Sequence, residues 1–454
     1  GLDEITFSLH GHTPELHDRL TKTKNGFENL MRAMIRAVRD GRVVVNVDVC
    51  INKQNVEHLE AIVALCSRVG VREFDLLHVI PQGVAFEHRD ELFYDVDAHA
   101  ESLRRVFRLA RHPGFHVWTN RFPVSHLEGM EELIQDPHKM LDEVGGRRVQ
   151  FRRYLDTGAA IDCRDKERCP HCFVEPFCSA LDRHVTRPQA QTFEVFHVGD
   201  RWDLAHLAGR ARWLGGHGTP GVADRPLYLD AADYGDVVLP PGSRVVVRRP
   251  EQLDALDHRD DVEVELHLDA IFASWLLNNP GRLRPTHVIH GVRHAKASDA
   301  LSDPDWAALF RGLPAGTRAQ NLPACLCPGA RIERAPRVIH AALYHDDGRL
   351  GIDAFVDHYI EEEYLAKSLR CRDCVATELC RGAHIQSIRA RGFAQLQPLH
   401  GEWAESAVAQ LRALPPDPDP RLRDGVAPCP PAPLVPVPGA TPVPFVDENA
   451  GRRS

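Results

Sequence analysis

The sequence has no run of apolar residues approaching the roughly 20 that are needed to span a bilayer, so we expect no membrane partner. It has no block of consecutive lysines and arginines, and its formal net charge is -9. Nucleic acid is therefore not an expected partner, because chains that bind it usually carry a positive surface that neutralises phosphates. The sequence also lacks the charged, apolar and small-residue pattern of a signal peptide, and we expect a cytoplasmic protein.

The chain has neither an initiating Met nor a flexible lead-in, since residues 1–10 already have the pattern of a strand. We therefore expect a fragment whose beginning is missing. The 454 residues, of which 43% are hydrophobic, suffice for two or three domains with their own cores.

Strand and helix patterns alternate over residues 1–130. Short apolar runs at 5–9, 43–49, 74–80 and 115–118 are separated by segments with apolar residues at helical spacing. This order is typical of parallel strands that are joined by right-handed crossovers and covered on both faces. The sequence predicts the α/β class, as a barrel or as an open sheet.

Four further segments follow along the chain. Residues 131–190 hold a first cysteine cluster, residues 191–319 have the pattern of a second α/β region of unknown role, and residues 320–403 hold a second cysteine cluster. Prolines dominate after Leu414, and we assign residues 404–454 to an extended tail without a core.

The 12 cysteines are distributed unevenly, which is not typical of a disulfide framework. The stretch CRDKERCPHCFVEPFC contains four of them, namely Cys163, Cys169, Cys172 and Cys178. A CxxC pair places two thiolates on one metal ion or on one edge of a cluster, and the two flanking cysteines complete a four-thiolate site. The spacing therefore predicts a metal centre in a reducing compartment.

The CxxCx5C spacing recurs at Cys371, Cys374 and Cys380, which strengthens the prediction of metal binding. The fourth ligand of this second site is open between Cys325 and Cys327 in LPACLCPG, and His384 is an alternative. Iron-sulfur is favoured over zinc, because zinc ribbons usually bring together two separate CxxC pairs, whereas each cluster here has one. Zinc stays open as the alternative.

Polar side chains accompany the predicted strands of the first region. Ser8, His10 and His12 come at the end of the first strand, Asn46 lies within the second, and His78 lies within the third. At the carboxyl end of an α/β barrel such side chains face the mouth in which ligands bind. We assign no general acid or base, because a strand-end histidine is often a structural hydrogen-bonding residue.

The stretches GLDEITFSLHGHTPELHDRLT, VVVNVDVCINKQN and FDLLHVIPQG, together with CxxCx5C, resemble the radical S-adenosylmethionine (radical SAM) enzymes with a C-terminal SPASM or twitch extension. The three stretches look like the fourth, fifth and sixth strands of that family. The resemblance covers residues 1–185 and 320–400. It implies a partial (β/α)6 barrel, made of the C-terminal strands only, which is followed by SPASM-like cysteine segments.

The resemblance also implies cofactors and site residues. Ser8 and Asn46 match positions that contact S-adenosylmethionine, and Ile80 and Pro81 match the end of the sixth strand near the adenine. Each cysteine cluster would hold one auxiliary 4Fe-4S cluster.

The activity implied is that of an oxidoreductase or maturase in which a 5'-deoxyadenosyl radical abstracts hydrogen from a peptide or small-molecule precursor. A donor such as flavodoxin or ferredoxin would supply electrons. The family's CxxxCxxC loop, which holds the cluster that reduces S-adenosylmethionine, occurs nowhere in this sequence. We therefore expect this chain to be inactive alone.

Two other functions are compatible with the same residues. The first is a zinc-stabilised α/β binding protein in which both cysteine clusters are structural. The second is a non-catalytic subunit that recognises a peptide. Iron and sulfide content separates the first of these from the radical SAM interpretation.

Overall fold

The structure, a computed structural model, describes residues 1–186, 194–197, 213–215, 227–233, 239–335, 343 and 350–414. The proline-rich tail after Leu414, which contains Cys429, lies outside the described residues. No described helix combines the length and the apolar composition that a membrane span requires.

Four parallel strands form the first sheet in the order of the chain, which confirms the α/β class. They lie where the apolar runs predict strands: β1 Glu4–Ser8, β2 Val44–Ile51, β3 Glu73–His78 and β4 His116–Asn120. Parallel strands need long crossover connections, and helices supply them here. These helices are α1 Pro14–Thr21, α2 Gly26–Asp40, α3 Leu59–Val69, α4 Gly83–Glu87, α5 Arg89–Leu92 and α6 Ala100–Phe107.

One face of this sheet forms the hydrophobic core of the first region. Val47, Val49 and Phe74 are fully buried on it. Helix α3 adds Leu59, Ile62, Val63 and Cys66 to the same core, at the helical spacing that the sequence predicts. Burial of each large apolar side chain stabilises the fold by about 1.5–3 kcal/mol.

The opposite face of the first sheet is polar, because successive side chains of a strand point to opposite faces. Asp48 pairs with Ser8 on one side and with Asp75 on the other, and Asp75 pairs with Trp118. Trp118, which lies on this face, is 47% exposed. The first sheet is therefore covered by helices on one face and open on the other within the described residues.

Residues 131–186 are mainly helical and contain the first cysteine cluster. The helices are α7 Lys139–Gly145, α8 Arg148–Thr157 and α9 Glu175–Thr186. Phe177 of α9 packs edge to face on Phe151, with 5.5 Å between the ring centroids, and also on Tyr359 at 5.3 Å. These aromatic contacts join the segment to the part of the chain after residue 350.

A second parallel sheet contains eight strands in the order β12-β11-β10-β9-β8-β7-β5-β6. They are β5 Glu194–His197, β6 Trp213–Gly215, β7 Leu227–Asp230, β8 Arg244–Val247, β9 Glu263–His267, β10 His287–His290, β11 Arg318–Gln320 and β12 Arg331–Glu333. Three helices flank them: α10 Ala270–Asn278, α11 Ala297–Ala300 and α12 Trp306–Gly312. The sheet extends past residue 319, where the sequence places the end of this region, because β12 pairs with β11.

Residues 350–414 complete the described chain. Their elements are α13 Ile352–His358, a π-helical turn Tyr359–Glu363, β13 Leu365–Ala366, β14 Ala383–His384, α14 Ile385–Arg391 and α15 Gly401–Ala413. Helix α15 crosses residue 404, where the sequence places the start of the tail. Its Gln410 accepts a hydrogen bond from the backbone N–H of Ile332 at 2.7 Å, so the helix is part of the packed fold.

Candidate functional site

Four cysteines of the second cluster line one small cavity, namely Cys325, Cys371, Cys374 and Cys380. Cys325 lies in the connection between β11 and β12 and is brought to the others by the fold. Cys327 is fully buried elsewhere, and its Sγ lies 3.5 Å from the carbonyl oxygen of Pro323. The geometry thus distinguishes two cysteines that the sequence leaves equivalent.

A partly buried carboxylate positions the turn that carries Cys371. Glu128 accepts hydrogen bonds from the hydroxyl of Ser368 at 2.7 Å, from the backbone N–H of Leu369 at 2.8 Å and from Nε of Arg370 at 2.8 Å. Ser368 in turn caps the 3₁₀ turn Leu369–Asp373. A residue from the first region therefore orients a loop of the second cysteine cluster.

Gly382 fixes the other side of this site. Its φ of 93° lies in the left-handed region, and a Cβ at this position would approach the carbonyl oxygen of Ala366 to 2.1 Å. Only glycine allows this close approach of β14 to β13. The backbone N–H of Gly382 donates to Sγ of Cys380 at 3.3 Å, and that of Leu399 donates to Sγ of Cys374 at 3.4 Å.

Burial favours the neutral form of the Cys325, Cys371 and Cys380 thiols unless a bound cation compensates the charge of the thiolates. Burial raises the pKa of the Cys325 thiol to about 12, and the neighbouring thiol of Cys380 raises it further. Burial also raises the pKa of Cys371 and of Cys380. A bound metal centre deprotonates such thiols, because its charge replaces the lost solvation.

The cysteines of the first cluster lie between α8 and α9. Cys169 begins a 3₁₀ turn that contains Pro170, Cys172 follows it, and Cys178 is buried in α9. Burial raises the pKa of Cys178, while the cation of Arg164 lowers it. Cys163 and Cys172 are close enough to influence the pKa of Cys178 electrostatically.

A buried network holds this loop against the helices. Arg164 contacts Asp182 of α9 at 2.5 Å, and the hydroxyl of Tyr154 in α8 donates to the same carboxylate at 2.7 Å. Because Asp182 is buried, both contacts act in a region of low dielectric. The loop with Cys163 is thereby fastened to both neighbouring helices.

The spacing of the sulfur atoms tests which metal centre the cysteines fit. In tetrahedral zinc sites a Zn–S bond of roughly 2.3 Å places the sulfurs about 3.8 Å apart. Among the described residues, the groups of three ligand atoms that lie within 4.8 Å of one another contain no cysteine. The described sulfur atoms of the two clusters are therefore not as close together as the ligands of one tetrahedral zinc ion.

Both cysteine clusters border one cleft of about 1250 Å³. Cys169 and Cys172 line it from the first cluster, Cys371 lines it from the second, and His78 and Arg121 line it from the carboxyl ends of β3 and β4. Ligands of α/β proteins bind outside the carboxyl ends of parallel strands. The cleft is therefore the candidate active site.

Several polar groups of the cleft are positioned by hydrogen bonds. His78 Nδ1 lies 3.0 Å from the hydroxyl of Tyr94, and burial lowers the pKa of this histidine to about 4, so the imidazole is neutral at pH 7. Asp97 lies 2.9 Å from His126 Nε2 and 3.0 Å from Arg372, a neighbour of Cys371. Hydrogen bonds from Arg372 and His126 lower the pKa of Asp97.

Arg121 has a left-handed backbone with φ of 60°, which is uncommon for a residue other than glycine. Its backbone N–H donates to Gln135 at 3.2 Å, and its Nε contacts Glu143 at 2.6 Å. Such conformations concentrate at functional sites. The sequence analysis did not identify Arg121, although its position directly after β4 is a usable signal.

The residues that the resemblance assigns to S-adenosylmethionine do not line this cleft. Ser8 is exposed at the end of β1, and Asn46 is buried on the same face of the sheet with its Oδ1 unpartnered. Asn46 pairs with Glu73 at the start of β3, whereas Ile80 and Pro81 follow the end of that strand at His78.

The histidines at the end of β1 have structural contacts. His10 Nδ1 accepts from the backbone N–H of Cys50 at 3.3 Å, and burial lowers the pKa of His10 to about 4. His12 lies beside His58, with 5.0 Å between the ring centroids. His384 lies 3.0 Å from the carbonyl oxygen of Ile360 through Nε2, and it does not line the cavity of the four cysteines.

No family model matches the chain. The chain is 29% identical over 106 residues to the PqqA peptide cyclase of Ruegeria pomeroyi, which is 23% of this chain and 28% of the relative. It is 30% identical over 95 residues to a probable GTP 3',8-cyclase of Saccharolobus islandicus, which is 20% of this chain and 30% of the relative. A probable GTP 3',8-cyclase of Saccharolobus solfataricus is 26% identical over 113 residues, 24% of this chain and 36% of that relative.

By their names these relatives are cyclases, one acting on a peptide and two on GTP. The chain spans roughly a third of the length of each relative. The similarity is thus partial in both directions.

Proposed function

We propose that this chain is part of a radical SAM enzyme that carries two auxiliary 4Fe-4S clusters and modifies a peptide or small-molecule precursor. The observation that carries this proposal is the single cleft that both cysteine clusters share with the carboxyl ends of the first sheet. A partial (β/α)6 barrel and SPASM-like segments are the architecture in which we place these elements.

The cysteines of each cluster would hold one auxiliary centre. Cys163, Cys169, Cys172 and Cys178 would ligate the first, and Cys325 would join the three cysteines of the CxxCx5C motif at the second. When bound, such clusters transfer single electrons. A complete shell of four thiolates leaves no iron open to substrate, which favours electron transfer over substrate binding at these centres.

The cleft residues suit a substrate with carboxylate or carbonyl oxygens. Lys166 and Lys367 line it and supply cationic groups, and Arg121 and Arg372 line it while paired with Glu143 and Asp97. A peptide carries such oxygens along its length, and one relative is named a peptide cyclase. A peptide precursor is therefore our preferred substrate class.

The remaining parts of the proposal concern S-adenosylmethionine and its electron donor. Ser8, Asn46, Ile80 and Pro81 stay the proposed contacts of S-adenosylmethionine, and flavodoxin or ferredoxin stays the proposed donor. This chain carries no CxxxCxxC motif. We therefore expect that the chain alone does not cleave S-adenosylmethionine.

Anaerobic reconstitution with iron and sulfide tests the cluster assignment. We expect brown protein with about eight iron atoms per chain, because each of the two sites would hold four. Cys172→Ser and Cys371→Ser should each lose the iron of one site, while Cys66→Ser, a core cysteine outside both clusters, should retain full iron content. Colourless protein with tightly bound zinc would contradict the proposal and favour a zinc-stabilised binding protein.

A further inference from the structure

The second parallel sheet has its own cavity at the carboxyl ends of its strands. This cavity of about 960 Å³ is separate from the cleft between the cysteine clusters. Consecutive strands each contribute a polar side chain to it at or just after their last residue: Asp230, Arg248, His267, His290 and Asn321. The carboxyl edge of a parallel sheet is the usual position for ligands, so this edge is a candidate binding site in its own right.

Two histidines that line this cavity meet a buried carboxylate behind them. His267 of β9 and His290 of β10 are direct partners in the strand register, and their rings stack with 4.6 Å between centroids. Oε1 of Glu265 lies 2.7 Å from His267 Nε2 and 3.2 Å from His290 Nδ1. One ligand atom from each of the three residues lies within 4.8 Å of the other two.

Arg244 and Gln320 hold the carboxylate oxygen of Glu265 that does not face the imidazoles. This oxygen, Oε2, accepts from Arg244 at 3.1 Å and from the amide of Gln320 at 2.7 Å. Arg244 also contacts Glu263, so its charge is shared between two carboxylates. These two hydrogen bonds direct Oε1 toward the two imidazoles. Metal-binding carboxylates are commonly oriented by hydrogen bonds of this kind.

We propose that Glu265, His267 and His290 form a site for a divalent transition-metal ion, with zinc as the expected occupant. Two imidazoles and one carboxylate are a common protein ligand set for zinc, and they leave a coordination position open. His267 and His290 both line the cavity, so the open position faces it and suits an oxygen donor such as water or a carboxylate. The three ligands include no cysteine, although Cys380 of the second cluster also lines the cavity.

Metal binding rearranges several hydrogen bonds, because Tyr228 donates to Glu265 Oε1 at 2.8 Å and Nε2 of Gln320 lies 2.8 Å from His290 Nδ1. The contact between Arg248 and His267 gives the proposal a specific test. Arg248 Nη1 lies 3.1 Å from His267 Nδ1 and can only donate there, so Nε2 carries the proton in the absence of metal. A metal at Nε2 moves this proton to Nδ1, where it would oppose the guanidinium. Arg248 is 53% exposed at the side chain and can turn away, and its removal should therefore strengthen metal binding.

Titration with Co²⁺, which substitutes for zinc and absorbs visible light, tests the site in the full chain after anaerobic reconstitution with iron and sulfide. We expect one equivalent to bind with ligand-field absorption but without thiolate charge transfer. His267→Ala and His290→Ala should abolish this signal, and Arg248→Ala should lower the dissociation constant several-fold. His294→Ala is the matched control, because this nearby histidine pairs with Asp303 instead.

Three results of the Co²⁺ titration would contradict the metal site. Absence of a cysteine-independent Co²⁺ signal, or a signal that survives both histidine substitutions in variants with unchanged circular dichroism, would overturn it. Weaker or unchanged binding in Arg248→Ala would also count against the arrangement. Because the signal arises without thiolate ligands, failure of iron-sulfur reconstitution does not affect this result.

Discussion

His184 Nε2 lies 2.7 Å from Oε1 of Glu363, a contact that joins the two cysteine segments. His184 belongs to α9, the helix that carries Cys178, and Glu363 ends the π-helical turn that precedes the second cluster. Arg183 contacts the other carboxylate oxygen of Glu363 at 2.5 Å, and Arg381, next to Cys380, lies at 3.7 Å. A buried carboxylate therefore lies between the two clusters and contacts the helix of one and the loop of the other.

Glu363→Gln should destabilise the protein strongly, by about 3 kcal/mol, because removal of one partner from a buried ion pair leaves the other uncompensated. Hydrogen bonds from His184 and His358 and the charge of Arg183 hold the pKa of Glu363 well below its usual range despite burial. A depressed carboxyl pKa stabilises the fold above the unfolded-state pKa, and this stabilisation is lost as the pH falls through the folded-state value. The variant should thus approach the parent in stability only in strongly acidic solution.

Urea unfolding between pH 3 and 8 measures this difference. Glu362→Gln is the matched control, since Glu362 is 42% exposed at the side chain and pairs with Arg293 near the surface. It should change stability by less than about 1 kcal/mol. Equal effects of the two substitutions would contradict a special role of Glu363.

The two upstream cysteines should differ in function. Cys325→Ser should remove the iron of the second site, because Cys325 lines the cavity with the other three cysteines. Cys327→Ser should retain it, because the thiol of Cys327 is buried against the carbonyl of Pro323. Iron content after anaerobic reconstitution measures the outcome. Iron loss in Cys327→Ser but not in Cys325→Ser would show that the ligand is the other cysteine.

Glu128 should act as a positioning residue for the second cluster. Glu128→Ala removes three hydrogen bonds that hold the turn before Cys371, so iron at that site should be lost to a chelator several-fold faster. Outer groups that orient ligands commonly affect metal affinity about 10- to 100-fold. Glu132→Ala, which removes an exposed pair with Arg111, is the control and should leave the rate unchanged. A rate that is the same in both variants would contradict this role.

The first sheet was predictable because its strands are β-branched apolar runs separated by helical patterns. The run at 43–49 corresponds to β2, and the apolar spacing of 59–66 matches the buried side of α3. These signals are local, since they depend only on residues within one element. The second sheet was predictable only as an α/β region, for the same reason.

The candidate site was predictable only where its residues are close in sequence. CxxCx5C identifies three cysteines, but the choice between Cys325 and Cys327 depends on a turn that points one thiol to the cavity and the other to a backbone carbonyl. Tyr94, Asp97 and His126 reach the cleft from loops, which have no periodic pattern. Their positions follow from tertiary packing alone.

Glu265 shows why pattern reading underestimates burial. The alternating sequence of residues 262–266 is typical of a strand with one exposed polar face. In the structure Glu265 is fully buried, because polar side chains of β7, β8, β10 and β11 surround it with hydrogen bonds. Polar side chains that hydrogen-bond to one another can be buried on a strand face. The sequence of the strand does not distinguish such a face from one that is exposed to solvent.

Asp75 on the polar face of the first sheet should weaken the fold at neutral pH. Burial raises its pKa to about 6, and the charge of neighbouring Asp48 raises it further. The folded state therefore holds this proton more tightly than the unfolded state, whose pKa is near 3.8, and stability falls as the pH rises from about 4 to 6.

Asp75→Asn removes this dependence and should stabilise the chain at pH 7 by about 1 kcal/mol, which is less than the full pKa shift implies because Asp75 is only half-buried. At pH 4 parent and variant should be equally stable, which makes the acidic measurement the internal control. Urea unfolding at the two pH values provides the comparison. A variant that is less stable than the parent at pH 7 would contradict this prediction. It would show that another group on this face compensates the charge of the Asp75 carboxylate.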